Sequence, residues 1–289
     1  MKKNKKMQIT SLILGVIGAI ALAIAPNITK EKDNSFVNEG HNLTVEFIDV
    51  GQGNCVLASI NEHYMLIDGG NSDTSSFVVS YLKDKGIKTL DYVVVSHYDA
   101  DHLSGIIGVL NVFNVNKVIA PDYTADTKTY NSYIKKLNEK NIMPEYPSVG
   151  DKYTFGNAGF VVVCPDSYDY SDENNNSVGI KLSYGNNSFL ILGDASTESE
   201  YAMLDNNVNV SADVYMVSHH GSLKSTSATF LSAINPSYAV ISVGNNSYGH
   251  PKEEILKRLE KLNIPIYRTD KDGTIIFTSD GNTLSVSTL

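Results

Sequence analysis

Residues 96–105 read Ser-His-Tyr-Asp-Ala-Asp-His-Leu-Ser-Gly, placing His97, Asp99, Asp101 and His102 within six positions. Two imidazoles and two carboxylates close together form a donor set suited to a borderline divalent cation such as Zn, Mn or Fe. The apolar run before them has the pattern of a buried strand, and helical periodicity begins near Leu103. The intervening residues are therefore expected on a strand-to-helix loop, a usual place for chemistry. In an extended chain, His97, Asp99 and Asp101 project to one side, and His102 swings in at the turn. A capped helix N-terminus would account for one Asp, but for neither His.

Other chemistry-bearing residues also end strand-like runs. Asp68 closes Tyr-Met-Leu-Ile-Asp, Asp194 closes Phe-Leu-Ile-Leu-Gly-Asp, and His219 and His220 follow Asp-Val-Tyr-Met-Val-Ser. His250 stands in Tyr-Gly-His-Pro just before a helical pattern. Taken singly, Asp194 reads as a turn residue and His250 as a cap; together they read as one site. His41, in a linker, and His63, in a hairpin turn, read as surface residues.

The elements that must hold these residues are short. Residues 43–67 pattern as an antiparallel meander with a turn at Asn61-Glu62. A helix ending on Gly86 follows, then the strand 91–96, the helix near 103–113, a strand at 117–121 and a helix at 129–141. Strands are expected at 158–165, 213–218 and 238–244, with a hairpin turning at Gly185-Asn186-Asn187. A helix from Pro251 and three closing strands complete the chain, the last two joined at Asp280-Gly281. The stretches 91–99 and 213–221 echo each other as Asp, apolar run, Ser, His. That echo suggests two related halves whose strands end at one shared edge. Mixed strands with interspersed helices imply a layered α/β domain, two sheets with helices outside.

The chain has 289 residues, enough for one large domain or two small ones. Its first 37 residues stand apart from a body at 38–289. A Lys-rich head precedes an uncharged stretch of 17 residues, Ile9 to Ala25. That order is one of a signal peptide or, although slightly short of the roughly 20 apolar residues of a span, of an N-terminal membrane anchor with a linker, through tilt or bilayer thinning. Either leads to an extracellular or cell-surface body, membrane-anchored or secreted. The net charge of −9 excludes a broad basic surface for nucleic acid, although bound cations would locally reverse the sign of an acidic pocket. Cys55 and Cys164 lie in apolar runs and read as buried thiols.

His-Tyr-Asp-Ala-Asp-His at 97–102 resembles the His-x-His-x-Asp-His motif of the metallo-β-lactamase superfamily, with Asp99 in place of the second His. Phe-Ile-Asp-Val-Gly-Gln-Gly-Asn at 47–54, Asn-Asn-Asn-Ser at 174–177, Leu-Gly-Asp, Ser-His-His-Gly-Ser and Tyr-Gly-His-Pro are similar to the branch containing the extracellular domain of ComEC-type competence proteins. The resemblance spans 43–289. It implies a four-layer αββα sandwich with metals at one edge. By match to the motif, His97 and Asp99 would hold one ion, and Asp101 and His102 the second. Asp194 would bridge them, and His219 would complete the second site with His220 as its rival. The usual His before the bridging Asp has no counterpart, so one of the two sites is expected to be weaker, with Zn or Mn as the metal. Asn54 stands where the family often has Asp.

The reaction so implied is metal-dependent hydrolysis, most naturally of a phosphodiester. Paired divalent ions about 3.5–4 Å apart can share a hydroxide and clamp the leaving oxygens. Asp101 and Asp194 would fix that geometry, Asp68 would orient a ligand His, and His250 would bind the anion or serve the leaving group. Ser222 and Ser225 would contact phosphate. DNA and a decorated cell-surface polymer are both candidate substrates. The contrasting readings are an exported DNA-uptake accessory or binding protein that keeps the fold without turnover, and a serine hydrolase. The latter lacks a Gly-x-Ser-x-Gly elbow.

Overall fold

The computed structural model describes residues 41–289; the expected signal peptide or anchor at 1–37 lies outside the described residues. β1 (Leu43–Phe47), β2 (Val56–Ile60) and β3 (His63–Ile67) form the expected antiparallel meander, turning through Asn61 and Glu62 at φ 50° and 61°. Helix α1 (Ser75–Asp84) leads to β4 (Thr89–Val94), α2 (Ala100–Val112), β5 (Asn114–Ile119) and α3 (Lys128–Lys140). β4 joins β3 and β5 in parallel. This is one expectation corrected: α2 begins at Ala100, so Asp101 and His102 sit in its first turn and not on an extended loop. The residue before the helix, Asp99, is its N-cap with φ −67° and ψ 149°.

The second half runs β6 (Lys152–Phe155), β7 (Ala158–Cys164), β8 (Gly179–Tyr184), β9 (Asn187–Ile191), α4 (Thr197–Asp205), β10 (Val214–Met216), α5 (Ala228–Ile234), β11 (Tyr238–Ile241), α6 (Glu253–Lys261), β12 (Ile266–Arg268) and α7 (Thr269–Asp272). β13 (Ile275–Ser279) and β14 (Leu284–Thr288) return to the first sheet. The strand orders are β14-β13-β1-β2-β3-β4-β5 and β12-β11-β10-β9-β8-β7-β6. Within the second sheet β9, β10, β11 and β12 are parallel.

The two-residue strand period sorts side chains between layers. Phe189 and Ile191 of β9 and Val214 and Met216 of β10 enter the core between the sheets, with Val45, Phe47 and Phe277 from the first sheet. Leu190, Tyr215 and Ile241 point the other way, beneath α4, α5 and α6. Val93 and Leu90 of β4 pack beneath α1, α2 and α3. Three apolar layers therefore separate helix, sheet, sheet and helix, which is the four-layer αββα sandwich expected. Both cysteines are buried free thiols, and burial pushes the Cys164 thiol up to about 12.

The site edge is fastened by backbone. Gly69 N–H donates to the His102 carbonyl (2.8 Å) and Gly105 N–H to the Gly70 carbonyl (3.0 Å), tying the segment after β3 to α2. The contact is so close that a Cβ on Gly105 would stand 1.7 Å from the Gly69 carbonyl oxygen. Gly105→Ala is expected to cost about 2 kcal/mol or more from forced separation, lowering Tm by roughly 5 °C in a calorimetric scan. An unchanged Tm would show that this contact is slack.

Candidate metal centre

The chemistry-bearing residues converge where parallel strands end, the usual edge for ligands in α/β sheets. Asp68 follows β3, His97 follows β4, Asp194 follows β9, and His219 and His220 follow β10. Asp68 organises the first sheet's contribution. Its Oδ1 accepts the Ser96 N–H (2.8 Å), and its Oδ2 accepts the Ser96 hydroxyl (2.7 Å) and His102 Nδ1–H (2.8 Å). Because the Ser96 proton is committed to Asp68, its oxygen must accept from His97 Nδ1, 3.0 Å away. On the other sheet, His220 Nδ1 donates to the Ser242 carbonyl (2.8 Å). Each of the three imidazoles is therefore anchored at Nδ1, and each aims Nε2 inward.

Those Nε2 atoms meet carboxylates. His102 Nε2 is 3.2 Å from Asp194 Oδ1; His220 Nε2 is 3.3 Å from Asp101 Oδ2 and 3.5 Å from Asp194 Oδ2. The Nε2 atoms of His97, His102 and His220 and Oδ1 of Asp194 are all buried without a hydrogen-bond partner. Orphaned polar atoms are costly to bury. Inward imidazole nitrogens facing carboxylates are a donor set that a divalent cation satisfies, so the residues present fit one. Two groupings have donor atoms within 4.8 Å of one another, His97 with His102 and Asp194, and Asp101 with His102 and His220.

The electrostatics carry the same demand. Burial would raise the Asp194 carboxyl, but His220 and His102 hold it well below the usual range. Burial opposes ionisation of Asp101 too, yet its bond with His220 and the charge of His102 hold it low. Burial would lower His102 and His220, but the neighbouring carboxylates, Asp194 foremost, pull both up. Protons and a divalent cation answer the same excess negative charge, and metal binding competes with protonation.

His219 and His220 sit at φ 53° with ψ 42° and 23°, followed by Gly221 at φ 80°. Consecutive left-handed non-glycine residues are strained and concentrate at functional sites. This turn sends the adjacent side chains to different places. His220 is the one that meets both Asp101 and Asp194. His219 Nε2 is 3.8 Å from Asp194 and its ring packs edge-on to His250. Asp99 stands at the rim, its side chain 55% exposed and 3.6 Å from His97 Nε2, outside both groupings. The expected pairing of His97 with Asp99 thus leaves Asp99 a peripheral member.

A cleft of ≈340 Å³ opens on this cluster, lined by Gln52, Asn174, Ser222, Lys224, Tyr248 and His250 along with Asp99, Asp101, Asp194, His219 and His220. Burial, then the nearby His219, His220 and Lys252, push His250 down to about 4, leaving a neutral ring at pH 7. Ser225 does not line the cleft: its hydroxyl donates inward to the Ser218 carbonyl (2.8 Å), so the expected phosphate contact is not available to it. His41 is exposed, and His63 pairs with Asp91 (3.2 Å) on the opposite edge.

Several supports had no bracing role assigned to them from the sequence. Asn175 Oδ1 accepts the N–H groups of Ser196 (3.0 Å) and Ser199 (3.3 Å), and Ser177 Oγ accepts that of Asp194 (3.3 Å), so the Asn-Asn-Asn-Ser stretch braces the Asp194 turn. Buried Glu200 accepts the N–H groups of Thr226 and Ser227, and Arg258 donates to the Thr226 carbonyl, pinning the far end of the His219–His220 loop. The signal available for Ser96 was its place between an apolar strand and the first His; Glu200 had none.

Asp68→Asn is expected to keep the fold and weaken metal binding by about 10–100-fold, measured by chelator competition. His220→Ala should lose metal by elemental analysis while His219→Ala retains it. The opposite result would restore His219 as the ligand.

The family model of the metallo-beta-lactamase superfamily matches residues 48–245. Among curated proteins, the chain is 30% identical over 250 residues to ComE operon protein 3 of Bacillus subtilis, covering 80% of this chain and 32% of that protein. It is 28% identical to competence protein ComA of Neisseria gonorrhoeae, covering 79% of this chain and 31% of the relative. It is 27% identical to recombination protein 2 of Haemophilus influenzae, covering 80% and 28% respectively. The chain thus spans about a third of the length of these curated relatives. Among solved structures, the metallo-beta-lactamase fold protein YhfI of Bacillus subtilis superposes with TM-score 0.54 at 12% identity, over 83% of this chain and 100% of that one. CmlA, a diiron beta-hydroxylase from Streptomyces venezuelae, gives 0.56 at 13% identity, over 88% and 55%. At such identity these two show the shared fold.

Proposed function

The chain belongs to the metallo-β-lactamase superfamily, and we propose that within it this body is a metal-dependent phosphodiester hydrolase. The observation that carries the reading is Asp194, a buried carboxylate with one oxygen toward His102 and the other toward His220, open to a cleft. Asp101, His102 and His220 would hold one divalent cation, and His97 with rim residue Asp99 a second, Asp194 being shared. His102 can serve a single ion, because its Nδ1 is committed to Asp68. The His97 side is therefore poorer in donors. When bound, Zn or Mn ions supply Lewis acidity and a nucleophile from water at neutral pH.

The remaining work falls to the chain's own groups. Asp68 and Ser96 keep two imidazole edges at fixed orientation and the Ser242 carbonyl keeps the third, so no reorganisation is needed when charge develops on the substrate. Ser222 Oγ accepts the Lys224 N–H (3.2 Å), which leaves its proton free to donate to a phosphate oxygen. Asn174 and Gln52 offer amides from the same wall. His250, a neutral ring, contributes hydrogen bonding and packing in place of proton supply. The kinship with competence proteins supports a cell-surface setting and a DNA or surface-polymer diester as substrate. Among the described residues no helix is long and apolar enough to cross a membrane, so an anchoring role rests on the N-terminal segment.

The purified full chain is expected to hydrolyse bis(p-nitrophenyl) phosphate, to lose that activity to a chelator, and to regain it with Zn or Mn. Asp194→Asn should bring turnover to background. Folded, metal-loaded protein that turns over no phosphodiester would overturn the reading. The unequal donor sets further predict two-step loading, with one ion surviving dialysis against dilute chelator and the second returning on add-back. Two ions lost together would show that the sides are equivalent.

A further inference from the structure

We infer that Tyr248 is a specificity-determining residue at the cleft mouth, stacking an unpaired nucleobase that adjoins the scissile phosphodiester. This rests on the phosphodiesterase reading above. Tyr248 lines the cleft while remaining 66% exposed. A lone exposed aromatic is ordinary on a protein surface; the arrangement around this one is not. Its ring lies nearly parallel to His250, with centroids 5.6 Å apart and planes at 24°. His250 in turn packs edge-on to His219 at 5.7 Å and 87°, and His219 reaches to 3.8 Å from Asp194. One wall of the cleft is thus a row of rings from the buried carboxylate to solvent.

The row is braced. The Asn246 amide holds both the N–H (3.0 Å) and the carbonyl (2.9 Å) of His250 and also the Gly244 carbonyl (2.9 Å), while Lys252 Nζ donates to the Tyr248 carbonyl (2.6 Å). With its backbone bonded and one face against His250, the Tyr248 ring has little freedom to lose on binding, which favours its use as a platform. Stacking needs a planar partner. A nucleobase supplies one; a glycerol or ribitol chain does not. Bases within a duplex already have their faces covered, so the platform selects a single strand. The chain carries a net charge of −9 and Lys224 is the one Lys or Arg in the cleft lining, so counterion release has little to work with there and stacking adds affinity beyond the phosphate itself.

The test uses the Mn-loaded full chain, with an oligothymidylate of about eight nucleotides and glycerophosphocholine as a diester without an aromatic ring. Tyr248→Ala is expected to raise KM for the oligothymidylate about tenfold relative to that for glycerophosphocholine, with kcat little changed, and Tyr248→Phe to restore it. Equal effects on both substrates, or none, overturn the inference. Fluorescence anisotropy of a labelled oligothymidylate separates this failure from failure of the hydrolase reading. Wild type that binds without cutting, and a Tyr248→Ala variant that binds about tenfold more weakly, would uphold stacking and sink the hydrolase. Equal binding by both proteins would sink the stacking.

Discussion

The carboxylate of Asp68 is the constraint on which the site depends. It is 1% exposed and accepts three hydrogen bonds, from the Ser96 amide, the Ser96 hydroxyl and His102. Through the hydroxyl it also sets the tautomer of His97. One buried acid thereby turns two imidazole edges toward Asp194 and makes their outer nitrogens donors of lone pairs. Its backbone is held at φ 57°, outside the ordinary range for such a residue. The surroundings justify that strain: its N–H is bonded to Val94 and the next residue's to His102, so the end of β3 is stitched to β4 and α2. The second sheet needs no equivalent acid, because His220 is anchored on a backbone carbonyl.

Much of this was legible in the sequence, and the parts that were not share physical causes. Strand β9 announced itself through the apolar run at 189–192, unbroken because alternate residues serve two apolar layers. Asp194, His97 and the pair His219 and His220 were singled out because each ends such a run. Helix α4 was missed because it turns Ser199 and Glu200 inward, breaking the apolar period on which helix recognition depends. Strand β6 was missed because Phe155 is the one of its four residues that is buried. The start of α2 was placed three residues late for a related reason: its first turn carries ligand-type side chains in place of an apolar stripe.

The order of His219 and His220 was beyond sequence reasoning of this kind. It is set by two successive left-handed residues, a conformation with no compositional marker when neither is glycine. Likewise the inward turn of Ser225 follows from the Ser218 carbonyl beside it, a contact created by the loop. Asp99 is the converse case. The motif pairs it with His97, and its carboxylate does lie 3.6 Å from His97 Nε2, but the side chain is 55% exposed at the rim. The echo between the stretches around β4 and β10 does have a structural counterpart, for each lies between parallel neighbours and delivers a histidine at its end.

The two sheets contribute to the centre separately. Asp68, His97, Asp101 and His102 come from one side of the sandwich, and Asp194 and His220 from the other. Their spacing is consequently gauged by the thickness of the apolar layer between the sheets, where Phe47, Phe189 and Phe277 meet at ring separations of 6.1 Å. That layer acts as a calliper: trimming it would shift the jaws without touching a ligand. Conversely, an ion gripped by both jaws is a rivet through the sandwich, and its binding energy becomes resistance of the whole fold to unfolding.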